Sequence, residues 1–148
     1  MQKTMKNPGI LLLEGGAEFQ GAMAEADQAA INASGSFESG LYVLPTAAAK
    51  DHNHIRAGNQ AVEWFHSLGV RNAFSLPVID KASANNTTYA ETLVTADFIY
   101  IIGGFPGYIY DTLESSLCWE AIQQAQCNGT TLAGSSAGAM VLCEWFYD

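Results

Sequence analysis

The sequence predicts an α/β fold in three layers: a doubly wound, mostly parallel sheet with helices on both faces. Three observations lead there. Continuous apolar runs of four to six residues recur along the chain, the pattern of strands covered on both sides. Longer stretches of helical character separate those runs, so each strand is returned to the sheet by a crossover. The chain also has 148 residues, 49% of them hydrophobic and only 14% charged. A domain of that size buries roughly 68–70% of the surface its unfolded chain exposes, so a core is available without staples.

The apolar runs fall at residues 9–13, 41–44, 73–78, 98–102 and 130–133. Helical stretches are expected at 17–33, 54–68, 87–96 and 110–126, with a last apolar helix over 139–146. In the second stretch Ile55, Val62, Phe65 and Leu68 fall close to helical spacing, and in the fourth Leu113, Leu117 and Ile122 do the same. No internal boundary, repeat or low-complexity linker interrupts the pattern, which reads as a single α/β domain over 1–148. Three strands run into small-residue turns, at Gly15-Gly16, Gly103-Gly104 and Gly134 to Gly138, and a fourth into Pro45-Thr46-Ala47. Ligands bind at the carboxyl ends of strands in open α/β sheets, so the chemistry is expected on that edge.

Composition excludes several classes. Six Lys and Arg against fifteen Asp and Glu leave a net charge of −9, which repels phosphate backbones and argues against nucleic acid as a partner. No apolar run approaches the ~20 residues of a membrane span, and the N-terminal run is too short for a secretory signal. Cys118, Cys127 and Cys143 form an odd set without metal-ligand spacing. They read as reduced thiols of a cytoplasmic protein, and no metal site is expected.

The sharpest local signal is Gly134-Ser135-Ser136-Ala137-Gly138, a G-x-S-x-G turn between a strand and an apolar helix. The spacing has a steric reason. The nucleophile occupies a strained turn, and small neighbours let the backbones approach while its hydroxyl projects outward. Ser136 is then the nucleophile, with Gly134, Ser135 and Gly138 building the elbow. The N–H groups at the start of the following helix lie near the serine and favour negative charge there. Gly103 and Gly104, at the end of the preceding strand, can present backbone N–H groups beside that of Ala137 to a developing oxyanion. A glycine-rich turn that only packs tightly or binds an anion would use the same residues.

Residues 101–104, Ile-Ile-Gly-Gly, followed by 133–139, Ala-Gly-Ser-Ser-Ala-Gly-Ala, resemble the dipeptidase E and cyanophycinase family of serine peptidases. Residues 13–19, Leu-Glu-Gly-Gly-Ala-Glu-Phe, and 44–47, Leu-Pro-Thr-Ala, resemble the first two strand ends of the same family, in the same order. The resemblance implies a class I glutamine-amidotransferase-like fold with serine where amidotransferases carry cysteine. It also implies hydrolysis of aspartyl-containing dipeptides or of the aspartate–arginine polymer cyanophycin, with a small peptide as substrate and no cofactor. Ser136 would be the nucleophile, and Gly104, Ala137 and in some geometries Gly103 the oxyanion donors. A Gly-Gly-x-Glu pattern points to Glu18 at the start of the first helix, facing the substrate, although a first-turn carboxylate favoured by the helix dipole has the same signature.

One component of the resembled machinery has no counterpart. In that family the base histidine and its acidic orienter lie downstream of the nucleophile, and this sequence runs only twelve residues past Ser136. The chain is therefore expected to be the N-terminal part of a longer peptidase-like domain, with Trp145, Phe146 and Tyr147 packing beneath further strands. Its histidine would come from a complementing C-terminal fragment or from a partner subunit, a homodimer being the simplest. A family member that has lost its base and acts as a binding or scaffold protein is the alternative. His52 and His54 follow the second strand and reach the active edge in principle, yet they also read as a polar loop capped near Asp51 or Asn53. His66 reads as an ordinary helix residue. Tyr108 either lines a substrate pocket or covers a helix start.

Overall fold

Residues 7–146 are described by the structure, a computed structural model of the chain. Five strands form one sheet: β1 (Leu11–Glu14), β2 (Leu41–Leu44), β3 (Ala73–Ser75), β4 (Phe98–Ile101) and β5 (Thr131–Ser135). Every pairing is parallel and the order is β1-β5-β4-β2-β3. The helices are α1 (Ala24–Ser34), α2 (Thr46–Ala49), α3 (His54–Ser67), α4 (Lys81–Ala84), α5 (Thr87–Val94), α6 (Pro106–Leu113), α7 (Leu117–Cys127) and α8 (Ala137–Met140).

The three layers follow from alternation along the central strand. Phe98 and Tyr100 point to one face, where Leu41, Val43 and Ala133 join Ala30 and Ile31 of α1 and Ala61 and Phe65 of α3. Ile99 and Ile101 point to the other, against Leu93 of α5, Ile109 and Leu113 of α6, and Ile122 and Ala125 of α7. All four β4 side chains are fully buried, each contributing about 1.5–3 kcal/mol if apolar. This is why the run reads as continuously apolar in the sequence: both faces of the strand need such residues. The doubly wound α/β class is thus as expected.

Local chemistry corrects several boundaries. The 17–33 stretch becomes helical only at Ala24, after a single 3-10 turn at Gly21–Met23. Ala17 and Phe19 hold φ of 56° and 57°, which a right-handed helix excludes. Glu18 therefore sits in a loop and not in the first turn of a helix. The 110–126 stretch is two helices, α6 and α7, broken at Ser115 (φ 53°), with Ser116 accepting the Trp119 N–H at 3.1 Å to cap the second. β3 stops short of Pro77, which has no N–H to continue the ladder. The apolar pattern does not predict α4, which starts at a reciprocal cap between Asp80 and Ser83. Those backbone and side-chain bonds from Ser83 hold the Asp80 carboxyl below its ordinary range. The helix after the elbow is one turn and ends at Met140, well before residue 146.

β1 lies at one edge of the sheet, and Leu11 and Leu13 on it are 47% and 46% exposed. Trp145 is 85% exposed, Phe146 rests 5.9 Å from the Tyr110 ring, and Tyr147 lies outside the described residues. Among the described residues no helix is long and apolar enough to cross a membrane. No cluster of His, Cys, Asp and Glu among them is arranged to hold a metal ion. Cys118, Cys127 and Cys143 are unpaired.

Candidate active site

The elbow is built by close backbone approach. A methyl group on Gly134 would lie 2.5 Å from the Gly138 carbonyl oxygen, and one on Gly138 would lie 2.0 Å from the Ile101 carbonyl oxygen. Those contacts explain why G-x-S-x-G needs its two glycines: β5 turns sharply back over itself and against β4. The strain falls on Ser136, which holds φ 48° and ψ −115°, a region that costs a non-glycine residue about 1–3 kcal/mol. Ser136 is exposed, whereas Ser135 beside it is fully buried. The Ser136 N–H donates to the Glu14 carbonyl at 2.8 Å, tying the elbow to the end of β1, and the Ser136 carbonyl accepts the Met140 N–H at 2.9 Å. Ser136 opens into a cleft of about 420 Å³ lined by Leu13, Glu14, Gly15, Ala139, Met140 and Cys143.

The turn after β4 closes on the same point. A methyl group on Gly103 would lie 3.0 Å from Ser136 Cβ, so the two turns are in contact. Gly104 holds φ 146°, and a side chain there would strike Ala47, at the strand end that begins Pro45-Thr46-Ala47. Glycine is thus required at 104 by conformation and by space.

Glu18 reaches into this junction. Its Oε2 accepts the Gly103 N–H at 3.0 Å and the Ser135 hydroxyl. The carboxylate therefore ties together the loops after β1, β4 and β5. The Gly103 N–H is already occupied in this arrangement. The Gly104 and Ala137 N–H groups have no hydrogen-bond acceptor among the described residues. Because α8 is a single turn, a helix dipole adds little at Ser136, and individual N–H groups carry the electrostatics.

The remaining expected residues lie elsewhere. No side chain among the described residues hydrogen-bonds to the Ser136 hydroxyl. His52 lines a groove with Ile55, Arg56, Asn59, Gln60 and Glu63, and His66 lies with Val70 and Arg71. His54 opens α3, and its Nδ1 is buried without a partner among the described residues. The Tyr108 hydroxyl donates to the Ile79 carbonyl at 2.7 Å, directing it toward the segment after β3. Neither His54 nor Tyr108 lines the Ser136 cleft. Met140 and Cys143, by contrast, line it. The expected helix over 139–146 would include Cys143, whereas α8 ends at Met140 and Cys143 stands at the cleft wall. The Glu14 carbonyl, the elbow's acceptor, has no signal in the sequence, since parallel pairing of Glu14 with Ser135 puts it in reach.

Residues 10–146 match Peptidase family S51. No curated protein sequence matches the chain. Among solved structures, a peptidase from an acI-B1 Actinobacterium is similar at a TM-score of 0.85 and 32% identity, over 93% of this chain and 58% of that one. A peptidase-E-like protein from Listeria monocytogenes EGD-e shares the fold at a TM-score of 0.65 and 18% identity, over 90% of this chain and 61% of that one. The chain thus spans about three fifths of the length of these two structures. With a match running from the first strand through the elbow, the chain belongs to Peptidase family S51.

Proposed function

We propose that the chain carries the nucleophile and oxyanion half of a serine peptidase site that acts on aspartyl-containing dipeptides or cyanophycin-like peptides. The observation that supports this most strongly is Ser136 itself: exposed, held at positive φ in a glycine-packed elbow, and in contact with a second glycine turn. Ser136 Oγ attacks the scissile carbonyl carbon, and its proton passes to a base. Gly104 and Ala137 donate N–H groups to the oxyanion. Collapse of the tetrahedral intermediate expels the amine, which takes up that proton, and water then hydrolyses the acyl-enzyme. The chemistry uses no cofactor.

Serine needs a positioned base, and no histidine among the described residues bonds to Ser136. We place the base on residues beyond these 148, either in a C-terminal continuation of the same domain or on a complementing fragment or second subunit. Glu18 sits at the junction of the loops after β1, β4 and β5, where only its Oε2 is engaged, by the Gly103 N–H and the Ser135 hydroxyl. It is assigned to the cationic end of a peptide substrate. The three unpaired cysteines fit a reducing, cytoplasmic setting.

The second reading, a binding protein without catalysis, draws on the same lack of a base beside Ser136. A fluorophosphonate probe on the protein expressed from its complete reading frame separates the two. A peptidase labels on Ser136 and a binding protein labels nowhere, while labelling that survives Ser136→Ala places the nucleophile at another residue.

A further inference from the structure

Beneath the elbow lie two carboxyl groups that no cation among the described residues faces. Glu14 is 2% exposed and Asp27 is fully buried. Glu14 Oε2 accepts the Tyr100 hydroxyl at 2.7 Å, and Asp27 Oδ2 accepts the Trp64 indole N–H at 2.8 Å. The other two oxygens, Glu14 Oε1 and Asp27 Oδ1, are buried without any donor among the described residues. Yet the two side chains interact, the Asp27 carboxyl and its charge both pushing the Glu14 carboxyl up. Buried polar atoms are nearly always satisfied, and two facing carboxylates in a low dielectric repel. A single proton between them satisfies both orphaned oxygens at once. The groups that surround the pair are Tyr100 from β4, Trp64 from α3, Ser135 from β5 and Glu18 from the loop after β1. None of them is a cation, so nothing compensates a doubly ionised pair.

We propose that Glu14 and Asp27 share one proton and serve as a positioning pair for the Ser136 elbow. Glu14 is the residue that holds the proton. Burial, reinforced by its bond to Asp27 and by Asp27's charge, pushes its carboxyl up to about 8. Burial and the bond to Glu14 keep the Tyr100 phenol protonated far above its ordinary range, so Tyr100 remains a donor. The pair acts through the backbone. The Glu14 side chain is fixed between Tyr100 and Asp27, and Trp64 fixes Asp27 against α3. The Glu14 carbonyl is thereby held where it accepts the Ser136 N–H. Loss of the proton sets two carboxylates against each other directly below that bond. The shared proton is independent of any catalytic role, whereas its service to a nucleophile rests on the peptidase reading.

Infrared spectroscopy tests the shared proton. Near neutral pH the ordinary carboxyl groups are ionised, so a protonated carboxyl C=O band isolates this pair. The wild-type band disappears as pH rises through about 8. Glu14→Gln abolishes it, since the amide donates to Asp27 and still accepts from Tyr100. Asp27→Asn moves its loss to lower pH, because a neighbouring negative charge is replaced by a donor. A wild-type protein without the band, or a Glu14→Gln protein that keeps it, overturns the proposal. The wild-type titration and Asp27→Asn decide the matter if Glu14→Gln does not fold. Positioning is read separately, as the pH profile of fluorophosphonate labelling. Wild-type labelling is expected to fall above pH 8 more steeply than that of Glu14→Gln. Superimposable profiles refute the positioning role. A band without any labelling upholds the proton and refutes the peptidase reading.

Discussion

Replacing Glu14 with Gln exchanges a titrating carboxyl for a neutral amide of the same shape, so its effect should appear in the pH dependence of stability. The carboxyl has an ordinary value of 4.5 and sits at about 8 in the folded protein. Because the folded value is the higher one, the group's contribution is fully present below pH 4.5. It diminishes between about 4.5 and 8 and is lost above that. At 1.36 kcal/mol per pH unit, the interval corresponds to about 4–5 kcal/mol in total. Urea unfolding of both proteins at intervals from about pH 5 to 9 isolates this term, since the remaining titrating groups are common to both. The wild-type advantage over Glu14→Gln should shrink steadily across the window and level off near pH 8. Parallel curves for the two proteins would refute the buried proton and the reasoning that assigns it to Glu14.

Three further outcomes follow from packing and burial. Gly138→Ala places a methyl group 2.0 Å from the Ile101 carbonyl oxygen, against backbone of the central strand. It should cost about 1–3 kcal/mol, with a Tm loss of roughly 2–4 °C per kcal/mol, and an unchanged Tm would contradict the elbow geometry. Ser136→Gly relieves a φ of 48° and should be more stable than Ser136→Ala by about 1 kcal/mol in urea unfolding. Equal stabilities would mean that the serine is unstrained. Burial pushes the Cys118 thiol up to about 11 while Cys127 and Cys143 are exposed. A thiol reagent near pH 8 should therefore titrate two cysteines in the folded protein and the third only on unfolding.

The strands and the elbow were legible in the sequence because each is specified locally. A central strand such as 98–101 must be apolar on both faces, and Gly134 and Gly138 are the only residues that fit against Ile101 and each other. The breaks were less legible. Ala17, Phe19 and Ser115 adopt positive φ without being glycine, so nothing in their identity interrupts the apolar periodicity that runs through them. The helix after the elbow looked long because residues 139–146 are apolar, whereas only its first turn forms. The Glu14–Asp27 pair is a tertiary product. Its members come from β1 and α1, and the only trace in the sequence is an acid ending an apolar run and another on the buried face of an alanine-rich helix. Glu18 is expected at the start of the first helix, whereas it sits in the loop before it. Its partners, Gly103 and Ser135, became visible only when three strand ends were placed side by side.

The central claim, that Ser136 is a hydrolytic nucleophile, is tested most directly by fluorophosphonate labelling of the protein expressed from its complete reading frame. The labelled peptide would be mapped by mass spectrometry, with Ser136→Ala in parallel. The account predicts one adduct, on Ser136, that is absent from the variant. An adduct on another residue that persists in Ser136→Ala, or no adduct on a folded protein, would contradict it.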